Sequence, residues 1–218
     1  MGSDGGDASV DFDETTGWKI TGTSVGGGSS TINVASDGGT KGVTWTEKGW
    51  QLVGEDPTGK TSSITVSGDT DPSTGVDYQT GKGWVISGTV NGEKTSITVS
   101  GAADDKTVSF DGTKYTLKQK GEGSGSLVVD AKSFDSATIE SLGEDGGYII
   151  KGLGKGSGSL TVGAIPDNST VELVEGEGGG YKLVGTVNGE AFECPVTAEE
   201  VENGAKVHWV AGKGWVLE

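Results

Sequence analysis

Gly83-Trp84-Val85-Ile86-Ser87-Gly88-Thr89-Val90-Asn91-Gly92-Glu93-Lys94-Thr95-Ser96-Ile97-Thr98-Val99-Ser100-Gly101 is the stretch whose reading decides the fold. Trp84, Ile86 and Gly88 alternate with other residues, then Ile97 and Val99 alternate with Thr and Ser. A period of two is the strand period, because successive side chains on a strand point to opposite faces. Between the runs lies Asn91-Gly92, and a type I′ turn needs positive φ at both central residues, which Asn and Gly tolerate. The stretch therefore predicts a β-hairpin.

Working outward, the pattern recurs. An aromatic follows a turn at Trp18, Trp50, Trp84, Tyr115, Tyr148, Tyr181 and Trp215, in steps of 32, 34, 31, 33, 33 and 34 residues. Two residues further on stand Ile20, Leu52, Ile86, Leu117, Ile150, Leu183 and Leu217. An earlier segment reads Val10-x-Phe12, Val43-x-Trp45, Val76-x-Tyr78, Val108-x-Phe110, Ala137-x-Ile139, Val171-x-Leu173 and Val207-x-Trp209. A later one reads Ile32-x-Val34, Ile64-x-Val66, Ile97-x-Val99, Leu127-x-Val129, Leu160-x-Val162 and Phe192-x-Cys194-x-Val196. Each unit thus predicts a three-stranded antiparallel meander. Val53, Val85, Ile149, Val184 and Val216 on the alternate face suggest a second strand buried on both sides. One short helix is expected at 198–204, with acids at its start and Gly204 as its stop.

The expected fold is all-β: seven three-stranded antiparallel repeats of about 33 residues, stacked in an elongated solenoid-like array. The units run approximately 7–36, 37–68, 69–101, 102–130, 131–163, 164–197 and 198–218, the last one incomplete. Residues 1–6 read as a flexible, artificial start without the pattern of a secretion signal. A closed propeller-like ring and a pair of β-sandwich domains are the alternatives. The ring is disfavoured because an odd number of strands ends each unit on the side opposite its start, and the joins are short.

Composition bounds the function. The 218 residues hold 42 Gly, 16 basic residues that are all lysine, and 32 acids, for a net charge of −16. Such a balance argues against nucleic acid, whose binding draws on clustered Lys and Arg, and no apolar run is long enough for membrane insertion by a helix. The lone Cys194 forms no internal disulfide, and the one histidine, His208, reads as an outward strand residue. Gly/Ser loops at 121–126 and 154–159 are followed by no helix and carry no Gly-Lys-Ser/Thr, so no phosphate loop is expected. The chain reads as a non-enzyme.

The units resemble the tandem β-repeats of large bacterial cell-surface and adhesin-type proteins, through residues 83–101, their echo at 49–68 and a partial echo at 180–197. That resemblance implies an extracellular or cell-surface location and a structural or adhesive module, in some cases with calcium in Asp-rich joins or Lys–Asn cross-links. No cofactor is expected otherwise. Asp69, Asp71, Asp104 and Asp105 are the calcium candidates, since calcium takes six to eight oxygens that such joins supply. Trp18, Trp50, Trp84 and Trp215 are candidates for stacking on sugar rings in a lectin-like alternative; the other reading of the same residues, from their alternation with Ile and Leu, is core. The partners to expect are a glycan or host-surface ligand, or a second copy through an exposed sheet edge.

Overall fold

The computed structural model describes the whole chain except residues 1–6, 16, 24–27, 47, 102–105, 120–124 and 144–145. Asp104, Asp105 and most of the 121–126 loop therefore lie outside the described residues. The chain is all-β. The first three units give β1 (Asp7–Asp13), β2 (Gly17–Thr23) and β3 (Ser29–Val34); β4 (Thr40–Thr46), β5 (Gly49–Glu55) and β6 (Thr61–Ser67); β7 (Gly75–Gln79), β8 (Gly83–Val90) and β9 (Glu93–Gly101). The next three give β10 (Lys106–Phe110), β11 (Lys114–Gln119) and β12 (Ser126–Asp130); β13 (Thr138–Ser141), β14 (Tyr148–Leu153) and β15 (Gly158–Val162); β16 (Thr170–Glu175), β17 (Tyr181–Val187) and β18 (Glu190–Val196). A short helix α1 (Ala198–Glu202) precedes β19 (Ala205–Val210) and β20 (Gly214–Leu217).

Two large mixed sheets result. One runs β1-β2-β3-β7-β8-β9-β13-β14-β15-β19-β20, the other β18-β17-β16-β12-β11-β10-β6-β5-β4. Successive strand triplets alternate between the sheets. This follows from the odd strand count: a triplet ends on the side opposite its start, and the join crosses to the facing sheet. Within each triplet pairing is antiparallel, and between triplets it is parallel, as at β9–β13 and β6–β10. Each sheet ends in two terminal strands, so there is no closed ring.

Local chemistry accounts for the elements. Asn91 and Gly92 have φ of 52° and 83°, Asn188 and Gly189 of 53° and 82°, as a primed turn demands. Thr197 caps α1 in a reciprocal box with Glu200, and Gly204 at φ 81° follows its end. Inward positions such as Ile32, Leu52, Ile86, Leu117, Ile150 and Leu183 are buried between the sheets. Val53, Val85, Ile149, Val184 and Val216 on the outer face are only half-buried, so the second strands are covered on one side rather than two.

The register corrects two first strands. Val10 pairs with Ile20 and Val108 with Leu117; their equivalents are Ile139, opposite Ile150, and Leu173, opposite Leu183. The segments that read Ala137-x-Ile139 and Val171-x-Leu173 are therefore shifted by two residues, and the aromatic position of these units holds Ser141 and Glu175. A two-residue shift keeps every side chain on its face, so alternation alone does not detect it.

Facing units interlock through glycine. A Cβ at Gly22 would lie 2.6 Å from the Trp45 ring, and one at Gly54 or Gly88 would overlap the ring of Tyr78 or Phe110. Each glycine sits on a second strand and each ring on the first strand of the next unit, across the sandwich. Unit four carries Gln119 at this place, and the unit after it has Ser141 where the ring would be. Gly88→Ala is expected to destabilise the protein by about 2 kcal/mol through overpacking. In a Phe110→Ala background most of that cost should vanish, which urea denaturation of the four variants checks as a double-mutant cycle.

Candidate functional site

The repeated aromatic is the feature with the most chemistry. In most units it contacts a first-strand ring directly opposite: Phe12–Trp18 at 4.8 Å between centroids, Trp45–Trp50 at 4.7 Å, Tyr78–Trp84 at 5.2 Å, Phe110–Tyr115 at 4.8 Å and Trp209–Trp215 at 6.0 Å. Where the first strand offers no ring, substitutes come from elsewhere. Phe134, from the join before β13, lies 5.7 Å from Tyr181. The Lys106 ammonium lies 5.7 Å from the centre of the Tyr148 ring.

In units two to four the polar atom of the aromatic follows a rule. It points at the residue two before the aliphatic pair on the third strand of the preceding unit, in the facing sheet. Trp50 Nε1 donates to Ser30 Oγ at 3.2 Å and Trp84 Nε1 to Ser62 Oγ at 3.2 Å. The Tyr115 hydroxyl donates to the Thr95 carbonyl at 3.0 Å and has the Thr95 hydroxyl 3.3 Å away. The next two units carry glycine there, and an aliphatic side chain from a join fills the slot. Ile165 occupies the space a Cβ on Gly125 would need, and Val201 of α1 does so at Gly158. Accordingly the Tyr148 hydroxyl is buried without a partner, while the Tyr181 hydroxyl turns to accept from the Gly154 N–H at 2.8 Å. The last slot holds Phe192, whose ring packs on Trp209 and Trp215, and Trp215 Nε1 is left unpartnered. Burial pushes the Tyr115 phenol up to about 12, with the Thr95 contact opposing, and pushes Tyr148 higher still with nothing to oppose it.

The four tryptophans named as sugar-stacking candidates thus have different surroundings. Trp50 and Trp84 are 0% exposed, and Trp215 is half-buried. Trp18 is 44% exposed and its neighbour Phe12 is 52% exposed. The four therefore present no continuous row of ring faces to solvent. Sequence alternation assigns all of them the same inward direction; it carries no signal for Trp18, which is open because no described unit faces it.

The remaining candidates are placed as follows. Asp71 Oδ1 accepts from the Ser73 N–H at 2.8 Å and shapes the join; Asp69 lies in the same join, its own N–H donating to Ser67 Oγ at 3.3 Å. Among the described residues no group of three or more His, Cys, Asp or Glu side chains is positioned to hold a metal ion. His208 Nδ1 lies 3.3 Å from the Glu218 carboxylate. Cys194 is buried, and burial pushes its thiol up, reinforced by the charge of Glu200, which disfavours the reactive thiolate. A strand residue missed in the sequence is Asp77, on β7: it accepts from Thr40 Oγ1 at 2.9 Å, and burial raises its carboxyl above the usual range. A groove of about 440 Å³ lies between Asn33, Ser73, Asp77, Val85, Ser87 and Lys94. No protein-family model, curated protein or solved structure matches the chain.

The hydrogen-bond rule makes two conservative substitutions diverge. Tyr148→Phe removes a buried hydroxyl that has no partner and is expected to leave stability unchanged or raise it by up to about 1 kcal/mol. Tyr115→Phe removes a bonded one and is expected to lower stability by about 1 kcal/mol. Denaturant midpoints of the two variants, measured side by side, check the contrast.

Proposed function

We propose that the chain is a non-enzymatic structural or adhesive module of an extracellular bacterial surface protein or fibre. The observation that carries this reading is the alternation of three-strand triplets between two open sheets. The second, third and fourth triplets lean on the one before through the ring, glycine and hydroxyl contacts, and later ones through Ile165, Val201 and Phe192 in the same slots. The same geometry lengthens along one axis with every added unit and has no step at which it must close. A rod built this way spans distance with short-range contacts only, as repeat proteins do. Eleven strands at about 4.8 Å each give a long axis of about 50 Å, against about 20 Å along the strands.

Surface chemistry supports the same reading. Most outward positions are Thr, Ser, Lys and acids, with Val53, Val85, Ile149, Val184 and Val216 half-buried among them, and ion pairs cross between strands in places: Lys114 with Glu172 at 2.6 Å, Lys182 with Glu193 at 2.8 Å, and Lys151 with Glu140. Exposed pairs of this kind add little stability, about 0–1 kcal/mol each. Their use here is to keep a polyanionic rod solvated and its flanks free of apolar patches. Sugar stacking by a tryptophan row gains no support from Trp50 and Trp84, which are closed to solvent.

Small-angle scattering tests the proposal. A compact 218-residue sphere has a radius of gyration of about 17 Å. The rod's own dimensions give a similar value, so the shape is read from the pair-distance distribution: a tail to long distances is expected, and a symmetric distribution would overturn the rod. Limited proteolysis adds a second reading: cuts are expected in the joins, with the strand triplets surviving intact.

A further inference from the structure

Phe12 and Trp18 are the two large apolar side chains most open to solvent among the described residues, at 52% and 44%. They are also the one aromatic pair with no described unit in front of it. Inside the chain, the third strands of the first three units each play two parts. Strand β3 brings Ser30 to Trp50 of the next unit and pairs with β7 of the unit after that. Strand β6 brings Ser62 to Trp84 and pairs with β10. Strand β9 brings Thr95 to Tyr115 and pairs with β13. Moved back one step, the same rule describes a position that no described residue fills. A strand lying over Trp18 would pair with β4, and β4 is the terminal strand of the nine-stranded sheet. The projecting inner face of β1 and β2, floored by Phe12 and Trp18, and the edge of β4 that no described strand pairs with therefore form one ledge.

We propose that this ledge is a docking site for a single extended β-strand from a partner chain, with the inward pattern Ser/Thr-x-Ile/Leu-x-Val. The occupant's main chain hydrogen-bonds along β4, parallel to it. Its aliphatic residues continue the core row beside Val43, which pairs with Leu52, and its hydroxyl receives the Trp18 indole N–H. The argument is continuity with an interface that the chain already builds three times. Addition of a strand to a sheet edge draws affinity from the main-chain ladder and specificity from alternate side chains.

A second copy of this chain is a poor occupant. Strands β3, β6, β9, β12 and β15 are already paired on both sides. The third-type strand that a copy leaves at an edge is β18. It carries Phe192 in the hydroxyl slot, and Pro195 contributes no N–H to a ladder. Net charge of −16 on each copy opposes the contact further. The inference does not depend on the surface-module reading: it concerns which strand the ledge accepts, wherever the protein resides.

A peptide with the sequence of residues 91–101, which carries Thr95-x-Ile97-x-Val99, is the probe, titrated into the full-length protein and followed by backbone amide shifts. Saturable binding is expected, with shifts concentrated in β1, β2 and β4 and reduced acrylamide quenching of Trp18. Trp18→Ala, at an exposed site and with its fold checked by thermal melting, should weaken binding at least about tenfold. A peptide with Phe in place of Thr95 should bind at least about tenfold more weakly as well. Failure to saturate, shifts elsewhere, equal binding by a scrambled peptide, or undiminished binding to Trp18→Ala would overturn the proposal. A concentration-dependent dimer in sedimentation that Trp18→Ala abolishes would also overturn it, by naming a second copy as the occupant.

Discussion

The insertion of one unit's ring into space left by the previous unit's glycine is the contact on which the rest of the structure depends. A three-stranded meander has one apolar face and cannot bury it alone. Gly22, Gly54 and Gly88 let the facing triplet come close enough for Trp45, Tyr78 and Phe110 to reach the opposite backbone. Once the rings are seated, the neighbouring aromatics Trp50, Trp84 and Tyr115 are fully buried and need somewhere to place a polar atom. Ser30, Ser62 and Thr95 meet that need. Ring, glycine and hydroxyl are thus three aspects of one fit, and each is found on a different strand.

Much of this was legible. The seven aromatic-x-aliphatic matches locate every second strand, and Asn91-Gly92 and Asn188-Gly189 predict turns whose φ values are positive at both residues. The acids at its start and Gly204 at its stop predict a short helix at 198–204 in a strongly β chain, and Thr197 caps it. What alternation did not reveal was partnership. A period of two tells which face a residue occupies but not which strand it meets, so units that follow each other in sequence turn out to lie in opposite sheets. The two-residue shift at Ile139 and Leu173 is the same failure at smaller scale, because it leaves the inward row intact.

The candidate site was legible only as a list of residues. Trp18, Trp50, Trp84 and Trp215 share one motif, yet their exposure ranges from open to fully closed according to what stands in front of each. Exposure is a property of the neighbour, and here the neighbour is some 20 residues earlier in sequence, as the Ser30–Trp50 and Thr95–Tyr115 contacts illustrate. Exceptions to the pattern were the better guide. Gly125 with Ile165 and Gly158 with Val201 are compensating departures.

The seams between triplets of one sheet are unequal. Four residue pairs join β9 to β13 and four join β12 to β16, but a single pair, Asn33 with Gly75, joins β3 to β7. In a nearly one-dimensional assembly, cooperativity is set by the weakest coupling rather than by the average. The first triplet is consequently held to its sheet mainly by the layer above it, and local opening should begin there while the middle of the stack remains closed. The most loosely laced seam thus lies at the same end as the open rings of Phe12 and Trp18, and the most tightly laced seams lie in the centre of the stack.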